Sequence, residues 1–203
     1  MTRAQIDRFF RTLARELGRP ARVIVTGAAA GSLWGMVRPS ADIDFEIRFV
    51  SGPANGPALE AAMERTERLT GIAAHYAEDM DRFGAITLLD YRQHTRPFKK
   101  YAGLDVRLLD PAYWAIGKLT RYLDLDVDDL VVVLKAQRPP PARLINVWAK
   151  ALARSPRSTA CTQFCRHVEH FLKTYADTIW GKGFDGSELA ERFLSRARAA
   201  SKR

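Results

Sequence analysis

The chain has 203 residues, 47% of them hydrophobic and 27% charged, with a formal net charge of +9. That length is enough for one domain with a full core plus a helical appendage, and no apolar run reaches the roughly 20 residues that a membrane span needs. The basic balance points to an anionic partner, a nucleic acid or a nucleotide polyphosphate, against the simpler reading of a soluble protein in which arginine is merely abundant.

The first segment, MTRAQIDRFFRTLARELG, scatters charge along its length, which speaks against a signal peptide. It reads as an amphipathic helix: Thr2 caps it, Ile6, Phe9, Phe10, Leu13 and Leu17 share a broad face, and Gly18 ends it. Arg22 to Thr26 is a short β-branched strand, and Gly27 then opens a small-residue helix that runs to Trp34 and Gly35. From Asp42 to Phe49 the period is two, with Asp42, Asp44, Glu46 and Arg48 on one face and Ile43, Phe45, Ile47 and Phe49 on the other. SGPANGP is a loop, and a helix follows from Ala58 to about Leu69. Weaker strand signals lie at Ile72 to Ala77 and Phe83 to Leu89. The basic stretch YRQHTRPFKKYAG reads as a connection to the strand Leu104 to Leu109.

Asp110-Pro111 is a helix start, with a capping aspartate and proline at the first helical position. Helices are expected over Pro111 to Tyr122 and Val127 to Lys135, and the breaker QRPPPA marks a soft boundary. Beyond it come helices over Arg143 to Ala153 and Thr159 to Trp180, and a last one after FDGSE with Asp185 and Glu188 as a capping box. The expected architecture is α+β, a mixed sheet flanked by helices over residues 1–137, followed by a C-terminal helical region over 138–203. Cys161 and Cys165 with His167 and His170 hint at zinc. On one helix these four do not converge on a single ion, so reduced cysteines in a cytoplasmic protein are expected instead.

The chemistry concentrates on the acidic strand face. Asp42, Asp44 and Glu46 project from one side a few residues apart, and like charges so close repel unless a cation neutralises them. Hard divalent ions with oxygen ligands, Mg²⁺ above all, supply that cation. Paired carboxylates can hold two such ions about 4 Å apart, which clamp a phosphoryl group during in-line displacement. The simpler account is an amphipathic strand with a wet outer face. Gly27, Ala28, Ala29 and Ala30 at a helix N-terminus add free N–H groups and a positive dipole end, a setting suited to phosphate.

Strand, glycine-led helix, turn and acidic strand in this order resemble the nucleotidyltransferase superfamily related to DNA polymerase beta, whose signature is a Gly-Gly or Gly-Ser pair opening a helix, a spacer, then Asp-hydrophobic-Asp. Two registers fit. In the first, Gly27-Ala28 stands for the pair, and Trp34-Gly35, Arg38, Ser40, Asp42 and Asp44 fall where abortive-infection-type members carry an aromatic-glycine, an arginine, a Thr or Ser and two aspartates. In the second, Gly31-Ser32 is the pair, as in minimal nucleotidyltransferases. The first is preferred because a helix should begin after Thr26; Ala28 departs from the pattern by lacking a hydroxyl.

The resemblance implies a third acid on a neighbouring strand, for which Asp105 is the candidate and Asp90 the runner-up. It also implies a lysine followed by Asp-x-x-Asp-Leu, matched by Lys118 and by Asp126 to Leu130, with Leu125 where a basic residue is usual. If this stretch is nearly continuous helix, Lys118, Tyr122, Asp126 and Asp129 share a face. Lys118 would hold nucleotide phosphates beside Arg121, and Asp126 would position that lysine or help bind metal; the plain alternative is a salt-bridged helix surface. The implied activity is Mg²⁺-dependent transfer of NMP from an NTP to an acceptor hydroxyl, with Asp42, Asp44 and Asp105 binding two Mg²⁺. RNA, a tRNA end among its forms, is the leading acceptor, with a toxin–antitoxin setting and a cognate protein partner. The alternatives are an inactive binding module of the same fold, an antitoxin or regulator, and a transferase acting on a protein or an aminoglycoside-like small molecule.

Overall fold

A computed structural model describes residues 1–36, 41–51 and 56–200. Backbone contacts divide the chain into two compact units, Met1–Met80 with Arg92–Leu109 and Asp81–Tyr91 with Asp110–Arg203. The last crossing between the units falls at Leu109–Asp110. The helices between Asp110 and Gln137 pack with the later helices, which draws them into the second unit.

The first unit is α+β. Helix α1 (Arg3–Leu17) starts on a reciprocal cap: Thr2 Oγ1 accepts the Gln5 N–H at 3.2 Å and Gln5 Oε1 accepts the Thr2 N–H at 2.7 Å. It stops at Gly18, whose φ of 63° suits glycine. Its Ile6, Phe9, Phe10 and Leu13 are buried, and the Phe9 and Phe10 rings meet Phe45 at 6.1 and 5.5 Å. Burial of each ring contributes about 2–3 kcal/mol. Strand β1 (Ala21–Val25), helix α2 (Gly27–Trp34), strand β2 (Asp42–Phe49), helix α3 (Gly56–Thr70) and strand β3 (Ala73–Ala77) follow.

The five-stranded sheet is mixed. Strand β2 is antiparallel to β1 and parallel to β3. The other side of β1 pairs in parallel with a strand at Leu104–Leu109, and that strand is antiparallel to one at Thr95–Tyr101. The second of these lies inside the segment expected to be a plain connection. It is polar, contains Pro97 and carries a register shift between Pro97 and Lys99, so hydrophobic alternation could not mark it.

The second unit opens with a two-residue pair, β4 (Arg82–Phe83) and β5 (Ile86–Thr87), so the single strand expected from Phe83 to Leu89 is a small hairpin in its own sheet. The sheet strands of the first unit are accordingly β6 (Thr95–Tyr101) and β7 (Leu104–Leu109). Helices α4 (Pro111–Arg121), α5 (Asp124–Gln137), α6 (Pro141–Arg154), α7 (Thr159–Trp180) and α8 (Gly186–Ala200) complete the chain. Asp110 Oδ1 accepts the Ala112 N–H at 3.0 Å, the cap expected before Pro111. Trp148 of α6 is fully buried, and its Nε1 donates to Ala112 O at 2.9 Å. Phe164, Phe171 and Phe193 fill the helical core around it. Asp185 Oδ1 accepts the Ser187 and Glu188 N–H groups at the start of α8.

Candidate functional site

Strand β2 sorts its side chains as its alternation demands. Ile43, Phe45 and Ile47 are buried toward the helices, while Asp42 and Asp44 are about two-fifths exposed on the other face. Glu46 shares that face but is 1% exposed. Its charge is met by protein donors: Arg92 Nε and Nη2 donate to its two oxygens at 2.7 and 3.2 Å, and the Met80 N–H donates at 3.0 Å. A buried carboxylate so forked is stable only while its partner stays. The acidic set expected from the sequence thus reduces to Asp42 and Asp44.

Backbone pairing brings three further groups to that pair. The Thr26 N–H donates to Asp44 O at 2.9 Å, which fixes the end of β1 and the start of α2 beside Asp44. Helix α2 begins at Gly27, so Gly31-Ser32 lies in its second turn and does not open a helix. Gly27 has φ +59°, and a Cβ built on it would collide with Asp44 Oδ2. The carboxylate therefore lies against the bare backbone at the helix mouth. On the other side β3 pairs His75 with Asp44, placing Nδ1 3.3 Å from Asp42 Oδ2 and 3.7 Å from Asp44 Oδ1. Asp42, Asp44 and His75 each offer a ligand atom within 4.8 Å of the others. Thr26 is 5% exposed, and its Oγ1 has no hydrogen-bond partner among the described residues.

These groups fit a divalent cation: two carboxylate oxygens, one imidazole nitrogen and an unsatisfied hydroxyl at the same end of the sheet. Gly27→Ala is expected to cost about 1–2 kcal/mol for the left-handed backbone alone and to push the Asp44 carboxylate aside. A lower melting temperature together with weakened Mn²⁺ or Mg²⁺ binding by calorimetry is the result that checks it.

Asp105 does not join this group. It pairs in register with Arg22, and Arg22 in turn with Arg48, at the far end of the strands from Asp42 and Asp44. Its Oδ2 faces Arg22 Nε at 3.3 Å. The third position beside Asp44 belongs to His75, which the sequence reading passed over; its one signal was an imidazole in a strand of alanines, AAHYA. Arg38 and Ser40 lie outside the described residues. Ala28 sits in the first turn of α2, where its carbonyl accepts from Ser32 Oγ at 3.0 Å. Asp90 belongs to the second unit, has φ 54° and faces Lys150 Nζ at 3.5 Å.

Lys118, Arg121, Asp126 and Asp129 meet within the second unit. No continuous helix carries them: Tyr122 takes φ 56°, α4 ends, and α5 folds back. Lys118 is 4% exposed, and its Nζ donates to Asp126 Oδ1 at 3.0 Å and Asp129 Oδ2 at 2.7 Å. The Trp114 ring lies 5.7 Å from the same nitrogen. Arg121 donates to both Asp126 oxygens. The expected phosphate-binding lysine is thus turned inward onto two carboxylates, because both acids are buried and need its charge. His167 Nδ1 contacts Leu119 O, His170 Nδ1 contacts the Tyr122 hydroxyl, and Cys161 Sγ contacts Pro156 O, so each has a protein partner.

No family model matches this chain, and neither does any curated protein or solved structure.

Proposed function

We propose that the chain is a metal-dependent nucleotidyltransferase that moves NMP from an NTP to an acceptor hydroxyl, with RNA as the acceptor class. The observation that carries this reading is the Asp44 carboxylate lying against Gly27 at the mouth of α2, with Asp42 and His75 beside it. A helix N-terminus next to a carboxylate pair offers both halves of what a triphosphate needs, oriented N–H donors and sites for cations. Divalent cations bound by Asp42, Asp44 and His75 would neutralise charge on the phosphoryl group and the leaving pyrophosphate. The residues of the chain orient the reactants: the Gly27 turn seats the Asp44 carboxylate at the helix mouth, and the carboxylates fix where the acceptor oxygen approaches. The acceptor oxygen bonds to the α-phosphorus as the bond to the bridging oxygen breaks, its proton leaving to solvent.

Incubation with α-labelled NTPs and separate pools of RNA, protein and aminoglycoside tests the reading. Label is expected in the RNA pool and lost on adding EDTA; label in no pool with any NTP overturns it. A second reading has its own support. Asp105 is absent from the site and Ala28 supplies no hydroxyl, which suits a fold that binds nucleotide without turning it over, an antitoxin or regulator. Metal-linked NTP binding without label transfer would select that reading.

A further inference from the structure

The face of the sheet that carries Asp42 and Asp44 has a second charged arrangement at its other end. Register sets Arg48 of β2 beside Arg22 of β1, Arg22 beside Asp105 of β7, and Asp105 beside Lys100 of β6. Four charged residues thus form one row across four strands, and three are cations. Like charges directly opposite on neighbouring strands are destabilising. Asp105 relieves this only in part, because its Oδ2 reaches Arg22 while Arg48 has no carboxylate within ion-pair distance among the described residues.

Beside this row lies a cavity of about 270 Å³ lined by Arg22, Ile24, Glu46, Arg48 and Arg92. Its guanidinium groups differ in freedom. Arg92 is pinned by the buried Glu46 and by Asp79 at 2.9 Å. Arg22 is more than half exposed, and Arg48 is exposed too. Arg92 is thus held rigidly, Arg22 shares its charge with Asp105 at 3.3 Å, and Arg48 can swing onto a guest.

We propose that this cavity binds a phosphate group, and that the phosphate is a diester of a single-stranded RNA acceptor. Arginine presents a planar fork that matches phosphate oxygens two at a time. Three guanidinium groups around one cavity suit a tetrahedral oxyanion better than a planar carboxylate, which offers a single edge. Arg48 stands four residues from Asp44 on β2, about 13 Å at the usual strand rise, so one phosphate cannot touch both ends. The cavity is a separate subsite from the Asp42–Asp44–His75 cluster. The assignment to an acceptor strand rests on the nucleotidyl-transfer reading; the affinity for phosphate does not.

The test is fluorescence anisotropy of a labelled single-stranded RNA oligonucleotide, without divalent metal, over a range of salt. The variants are Arg48→Gln, Arg22→Gln/Arg48→Gln and, as a control for lost charge, Lys173→Gln/Arg192→Gln on the helices. Arg48→Gln breaks no ion pair, so it reports even if the double variant melts early. The double variant is expected to bind RNA about tenfold more weakly at moderate salt, with a salt slope shallower by about two, and the control to change little. Inorganic phosphate at millimolar concentration is expected to compete with RNA on the wild type.

Unchanged RNA binding in both arginine variants, or an equal loss in the control, overturns the proposal. Failure of inorganic phosphate to compete with RNA on the wild type overturns the proposal as well. The label-transfer assay separates the two readings. Arginine-dependent RNA binding without any transfer leaves the cavity and removes the enzyme, whereas transfer with RNA binding indifferent to Arg22 and Arg48 does the reverse.

Discussion

Asp42→Asn/Asp44→Asn is expected to lower label transfer by about three orders of magnitude or more, since the groups that would hold cations at developing charge lose theirs. Asparagine keeps the shape of each side chain and its fit against Gly27, so geometry is retained. Both aspartates are about two-fifths exposed and lie close to one another, which leaves little stability to lose. The melting temperature should therefore stay within a few degrees of wild type while calorimetry shows metal binding gone. Transfer at the wild-type rate in the double variant would remove the metal site from the mechanism.

Lys118→Met is the opposite case, expected to damage the fold. It leaves Asp126 and Asp129 buried without their shared cation, at a cost of about 3–5 kcal/mol, or a drop of about 10 °C in melting temperature for a protein of this size. Removing the charges together, in Lys118→Met/Asp126→Asn/Asp129→Leu, should recover much of that loss. Burial works to raise the Asp126 pKa, but hydrogen bonds from Arg121 and Lys118 outweigh it and hold the carboxyl below its usual value. A depressed folded pKa means the group's stabilising contribution is fully present above its unfolded pKa of about 3.9 and is lost as pH falls through the lower folded value. Thermal melts from neutral to acidic pH should show this loss in the wild type. A Lys118→Met protein as stable as wild type at neutral pH would mean the network carries no weight.

Much of both units was legible because its signals are local. The Thr2 cap, the alternation of β2, the Asp110-Pro111 start and the span of α7 each depend on residues a few positions apart. The site was half legible for the same reason. Asp42, Asp44 and Gly27 fall close together in sequence, and a short antiparallel return brings them together in space. Asp105 illustrates the other half. Its face could be read from alternation, but its height depends on the register of β7 against β1, chain segments some eighty residues apart. His75 entered by a parallel pairing, and Arg92 reached Glu46 across a long span, so neither had a local trace. The break between α4 and α5 was legible at Tyr122, although a non-glycine residue takes the left-handed turn there.

Strand β6 forms one border of the five-stranded sheet, and it carries Pro97, Lys99, Lys100 and a register shift. Such a margin is hostile to a further strand: the proline lacks a donor, the lysines repel a copy of themselves, and the shift bends the ladder. The same irregularity that concealed this strand from a pattern search guards the protein against stacking into fibrils when it is crowded.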